Sequence, residues 1–370
     1  MPRRVFARLW LLTIASLVVF AACNSEASTT QAPPPASHAG TPDVRPRTFQ
    51  MGVSSLPPRP TDESYASTFK LIGAASDVVL IQRVPPWSEL LSGDFSDATV
   101  ATTKREVQLA HENNLDIFFA IDPTDPTTAR SDLAGLPSDL AGARFADERV
   151  RNALLSYARY VVTNYHPKYL AFGVEINSYQ IAQPLDFERF VVLYKDAYRA
   201  VKELSPDTLM FPTFQLEDLQ GLLPLDAPRA PQWYLIRRFE PELDMLAVSS
   251  YPRSVFESVD NLPLEYFTQL QKYTTKPIAL VSTGYPSSSD TNDSTEALQA
   301  TYLLRMLNYA QEMKMSLVVW FLSQDSAAFG SDPAHGRLTY LGLLRQDGTP
   351  KQAWDIWATV HRRPLAERAP

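Results

Sequence analysis

From Thr48 onward the chain repeats one alternation: a short, β-branched apolar run, then a longer stretch with apolar residues at helical spacing. Strands covered by helices on both faces read as near-continuous apolar runs, whereas amphipathic helices keep a period of 3.6. Strands are predicted at residues 49–54, 78–83, 115–122, 169–175, 209–214, 245–249, 278–282 and 317–322. Helical patterns fall between them at 63–75, 102–113, 147–164, 187–204, 264–272 and 295–313, with a last one at 352–361 and only a short one, 232–239, in the fifth unit. In 187–204 the residues Phe187, Phe190, Val191, Tyr194, Ala197, Tyr198 and Val201 share one helical face. Eight βα units without an internal repeat predict an α/β fold, a single (β/α)8 TIM barrel over residues 48–362 with a short tail at 363–370. A doubly wound open sheet is the alternative, but no GxGxxG or GxxxxGK[ST] occurs, so the phosphate-cradling loop of that class is missing.

Residues 1–47 follow different rules. Arg3, Arg4 and Arg8 precede an uncharged apolar run at 9–20, and Ala21, Ala22 and Cys23 follow it. That order is the layout of a secretory signal peptide, and the run is shorter than the roughly 20 residues a membrane span needs. Phe20-Ala21-Ala22-Cys23 resembles the bacterial lipobox with Phe in place of the usual Leu, and the chain's one Cys stands where lipidation requires it. The expectation is a lipoprotein signal peptide at 1–22, with Cys23 lipidated and the product exported to the cell envelope on a bacterial membrane. An ordinary signal peptide cut near Ala22, or an uncleaved anchor, is the alternative. Residues 23–47, rich in Ser, Thr, Ala and Pro with no apolar period, read as a flexible tether.

The formal charge of −7 argues against nucleic acid as a partner, and a single Cys excludes a disulfide scaffold. No HExxH, no Cys/His cluster and no EF-hand loop occurs, so neither a metal nor another cofactor is expected; Asp290, Asn292 and Asp293 read as a solvated turn.

A barrel of this kind carries its chemistry where the strands end. Those ends supply Gln50 and Ser54, Arg83 with Trp87, Asp122, Glu175 with Asn177 and Tyr179, Gln215 with Glu217, Tyr251, Ser282 with Tyr285, and Trp320 with Gln324 and Asp325. Rings for C–H faces, amides for hydroxyls and a few acids suit a saccharide. Glu175 ends an otherwise apolar strand, as a general acid would, or as a carboxylate paired with Arg83 or capping the next helix would.

Gly173-Val174-Glu175-Ile176 resembles the Gly-Asn-Glu-Ile/Val of clan A glycoside hydrolases, in particular endo-β-1,4-galactanases and related bacterial lipoproteins, with Val174 in place of the Asn. Val248-Ser249-Ser250-Tyr251-Pro252 is similar to their strand-six Ser-Tyr-Tyr-Pro, and Arg83 falls where they carry an Arg beside the nucleophile. The segment 276–286, Lys-Pro-Ile-Ala-Leu-Val-Ser-Thr-Gly-Tyr-Pro, resembles their strand-seven motif, in which a Glu is the nucleophile; here that position is Ser282. The resemblance implies Glu175 as acid/base, a degenerate nucleophile position at Ser282, and sugar contacts from Arg83, Trp87, Asn177, Tyr179, Tyr251, Tyr285, Trp320 and Asp325.

A retaining mechanism needs two carboxylates about 5–5.5 Å apart, and an unactivated serine replaces neither. No GxSxG occurs, and none of His38, His111, His166, His335 and His361 falls at a predicted strand end, so a hydrolase triad is not expected. Asp325, Glu217 and Asp122 are the candidates for a second carboxylate. Three readings follow: a hydrolase of a β-linked polysaccharide or oligosaccharide, a glycan-binding barrel that no longer turns over, and an envelope scaffold protein.

Overall fold

The computed structural model describes residues 45–95, 98–224, 227–288, 294–326 and 338–366. The signal peptide, Cys23, most of the tether, the acidic loop at 290–293 and the last four residues lie outside them.

Nine strand segments form one sheet: β1 (Gln50–Ser54), β2 (Val78–Arg83), β3 (Asp116–Ile121), β4 (Tyr169–Phe172), β5 (Leu209–Phe211), β6 (Thr213–Gln215), β7 (Leu246–Ser250), β8 (Ile278–Thr283) and β9 (Leu317–Trp320). Their order is β5-β4-β3-β2-β1-β9-β8-β7-β6, and every pairing is parallel. The two ends of that order, β5 and β6, are halves of one segment interrupted at Pro212, which has no N–H for the ladder. The ring therefore closes through the split fifth strand, and the fold is the predicted (β/α)8 barrel.

The helices are α1 (Asp62–Ala75), α2 (Trp87–Ser92), α3 (Ala98–Glu112), α4 (Glu148–Tyr165), α5 (Ile176–Ala182), α6 (Pro184–Leu204), α7 (Leu216–Leu219), α8 (Glu296–Glu312) and α9 (Gln352–His361). Side-chain caps start several of them: Thr61 on α1, Asp147 on α4 and Thr295 on α8. The apolar face of α6 is buried as its periodicity requires, with Tyr198 donating from the edge to Asp244 at 2.8 Å. Two predicted helices are instead 3-10 turns, Trp233–Arg238 and Thr268–Lys272.

Both predicted domain edges move. Arg47, read as tether, pairs with Asp77 at 2.6 Å and donates its backbone N–H to Pro364 at 2.8 Å, while Ala366, read as tail, donates back to Arg47. Gln50 sits at the opposite end of the barrel from the site, where Tyr169 donates to it at 2.7 Å and it donates to Asp116 at 2.8 Å. No helix among the described residues is long and apolar enough to cross a membrane.

Candidate functional site

The site begins where β4 stops short of its predicted end. Gly173 has φ +92°, and a Cβ there would lie 2.5 Å from the Phe190 ring, so only glycine fits. Glu175 follows in the left-handed region (φ 49°) at the entry to α5, its backbone N–H donating to Thr213 Oγ1 at 2.8 Å. The loop after β3 is bent in the same way, with Ala129 at φ 51° and Arg130 at φ 62°. Left-handed backbone is costly for residues with a Cβ and collects at functional sites. Three such residues meet here, and the side chains of two of them touch.

Arg130 Nε donates to Glu175 Oε2 at 2.8 Å, and its Nη1 donates to Asp122 Oδ1 at 2.8 Å and Thr124 Oγ1 at 3.0 Å. Gln82 donates to the other oxygen of Asp122 at 2.8 Å, and Ser249 Oγ donates to Glu175 Oε1 at 2.5 Å. Burial pushes the Asp122 carboxyl above the usual carboxylate range, with Arg130 opposing. Burial alone would lower the Arg130 guanidinium, but Asp122 and Glu175 outweigh it and hold it above its usual value, charged throughout. Both oxygens of Glu175 thus accept hydrogen bonds, one from a cation.

These groups border a cavity of about 310 Å³ at the barrel mouth. Its polar lining includes Gln82, Arg130, Glu175, Ser249, Tyr251 and Ser282; Phe118, Phe321 and Leu338 are among its apolar walls. Ser282 lies in a β-bulge of β8, where the register against β7 skips Val281, so that both residues face the cavity. The Tyr251 hydroxyl lies 2.6 Å from Ser282 Oγ, and burial raises that phenol far above its usual value. Among the described residues, Ser282 therefore has a phenol for a partner and no base. Among the described residues that line the cavity, Glu175 is the one carboxylate.

The cavity brings together Glu175, Tyr251 and Ser282 of the residues read from the sequence, and Val174 with them. The others lie elsewhere. Arg83 follows Gln82, so it points out of the barrel, to Glu106 at 2.5 Å and Thr103 at 3.2 Å; it is not the partner of Glu175. Trp87 is buried with its indole N–H on Ala134 O at 2.7 Å. Asn177 bolts α5 to the fifth strand through two bonds to the Gln215 backbone, and Tyr179 donates to Asp186 at 2.6 Å. Tyr285 and Trp320 pack on Tyr302 of α8, outside the ring of strands.

None of the three candidates for a second carboxylate reaches the cavity either. Asp325 is paired with buried Lys351 at 2.7 Å. Asp122 stands behind Arg130. Glu217 is fully buried and accepts from Tyr266, from Ser250 at 2.8 Å, from the Tyr251 N–H at 2.9 Å and from Gln215 at 2.5 Å. Burial pushes its carboxyl up to about 7 against those donors.

Sequence reading missed Arg130, Ser249, Gln82 and Phe321. Phe321 was within reach: period-two parity in the eighth strand puts it, not Trp320, on the side of Val319, which packs toward Gly52 inside the ring. Arg130 was not, because a turn residue with left-handed backbone leaves no periodic mark.

No protein-family model matches the sequence, and no curated protein matches it. Solved structures do resemble it. A GH5_18 protein from Streptomyces cattleya, solved with GlcNAc, superposes with a TM-score of 0.66 at 17% identity, covering 87% of this chain and 83% of that one. A GH5_18 variant from Bifidobacterium longum subsp. longum, solved with Manβ1-4GlcNAc, gives 0.62 at 17% identity over 86% and 80%. The exo-β-1,4-mannosidase Op5Man5 from Opitutaceae bacterium strain TAV5 gives 0.61 at 16% identity over 85% of this chain and 59% of that chain. The chain thus has the barrel fold of these glycoside hydrolases.

Proposed function

We propose that this barrel binds a β-linked saccharide with one sugar ring in the 310 Å³ cavity and does not hydrolyse it by a retaining mechanism. The observation that carries the reading is the pairing of the two walls. Where double displacement needs carboxylate facing carboxylate, Glu175 faces a serine bonded to a phenol. Glu175 itself is engaged by Arg130 and Ser249, an arrangement that can accept a further hydrogen bond from a sugar hydroxyl. Tyr251 and Phe321, their rings 6.4 Å apart and near perpendicular, offer apolar faces to the C–H groups of a pyranose. The solved relatives hold β-mannosyl and GlcNAc ligands, which makes these the first probes.

The test is calorimetric titration with Manβ1-4GlcNAc, cellobiose and β1-4-galactobiose, alongside assay of the matching p-nitrophenyl β-glycosides. The wild type is expected to bind one of the disaccharides and to leave the aryl glycosides intact, with Glu175→Gln weakening binding at least about tenfold, as loss of a charged hydrogen-bond acceptor implies. Ser282→Glu is expected to introduce hydrolysis. Wild-type turnover that Glu175→Gln abolishes would overturn the binding-only reading; absence of any saccharide binding at millimolar concentration would overturn the sugar itself.

The N-terminal segment supports a second part of the proposal: export, lipidation of Cys23, and a barrel held at a bacterial envelope membrane. Radiolabelled palmitate should enter the wild type and not Cys23→Ser, and that variant should leave the membrane fraction.

A further inference from the structure

A second cavity, of about 680 Å³, opens beside the first and shares Pro126, Arg130 and Glu175 with it. These three residues therefore stand on the border between the two. The two differ in chemistry. The inner cavity has the rings of Tyr251, Phe118 and Phe321; no aromatic side chain lines the outer groove among the described residues.

Most polar side chains of the outer groove are already engaged with the protein. Ser178 donates to Asp218 at 2.6 Å, Ser131 to Asp132 at 2.8 Å and Thr128 to the Asp125 carbonyl at 3.1 Å. Gln215 uses both ends of its amide, on Glu217 and on the Asp218 N–H. The carbon surface of the groove comes from Ile181, Ala182, Leu223, Pro126, Pro224 and Ala129. Arg229, at the exposed rim, has no side-chain hydrogen bond among the described residues. A pyranose in this groove would find no ring to stack on, whereas an alkyl chain would find carbon.

We propose that the ligand is an amphiphilic β-glycoside, its terminal sugar in the inner cavity and an aliphatic aglycone along the outer groove between the loop after β3, α5 and the segment after α7. This rests on the saccharide reading above and names the other half of the ligand.

The probes are methyl and hexyl β-D-mannopyranoside, the same pair of β-D-glucopyranosides, and Manβ1-4GlcNAc, titrated into the full chain. The hexyl glycoside is expected to bind about tenfold or more tighter than its methyl counterpart, which the burial of a few methylene groups implies. Ile181→Asn, and Ala182→Asp at an exposed position that cannot unfold the barrel, should abolish that gain and leave methyl glycoside binding unchanged. Equal affinity for methyl and hexyl glycosides, or a gain for the disaccharide alone, would overturn the aliphatic groove while leaving the sugar site intact. Failure of every methyl glycoside and of the disaccharide to bind would remove the sugar site and this inference with it.

Discussion

The two walls of the inner cavity are built on opposite electrostatic plans. On the side of β3 and β4, Arg130 bridges two carboxylates, and three residues hold left-handed backbone to place the network. On the side of β7 and β8, a serine and a tyrosine hydrogen-bond each other, with no charged side chain of those strands lining the cavity. The first wall carries the strain and the charge, the second only shape. A site that kept both halves of a double-displacement mechanism would carry charge on both. On the proposed reading, the charged wall holds the sugar and the neutral wall supplies no second carboxylate.

The charged wall can be broken most severely at Arg130. Arg130→Met leaves buried Asp122 and half-buried Glu175 without their cation, and stability should fall by about 3 kcal/mol, read as a lower urea midpoint. A loss under 1 kcal/mol would mean that the network is a bystander. Behind the neutral wall, Glu217 gives a pH signature. Its folded value of about 7 lies above the unfolded carboxylate range, so its contribution is full below about pH 4.3 and disappears as pH rises through 7, roughly 3 kcal/mol in all. Glu217→Gln should flatten that part of the stability profile, measured by urea unfolding from pH 4 to 8.

Two neighbouring aromatics sharpen the difference between wall and shell. Phe321→Ala should weaken saccharide binding about tenfold with little change in melting temperature, as loss of one stacking ring implies. Trp320→Leu should do the reverse, lowering the melting temperature and leaving affinity within about twofold, because its ring packs on Tyr302 outside the strands. The smallest effect belongs to Tyr251→Phe, which removes one neutral hydrogen bond to Ser282 and should cost about 1 kcal/mol of stability.

The strands and most helices were legible because each is a local pattern. In the run 187–204 the spacing alone selects the face that is buried. Legibility failed in two ways at the site. Ring-facing and helix-facing residues alternate, so reading a strand end without its parity exchanged Arg83 for Gln82 and Trp320 for Phe321. Motif spacing did pick out Glu175, Tyr251 and Ser282, which share the cavity, but it could not tell that Glu217 and Asp325 end in separate buried networks.

By itself, then, the sequence determined the barrel and the presence of a serine, not an acid, at position 282, since periodicity and residue identity are properties of the chain read in order. Only the tertiary structure decided that Arg130, forty-five positions before Glu175, is the cation that engages it. That contact depends on two left-handed turns and on strands three and four lying side by side, and neither backbone handedness nor the meeting of distant loops is written in the spacing of residues.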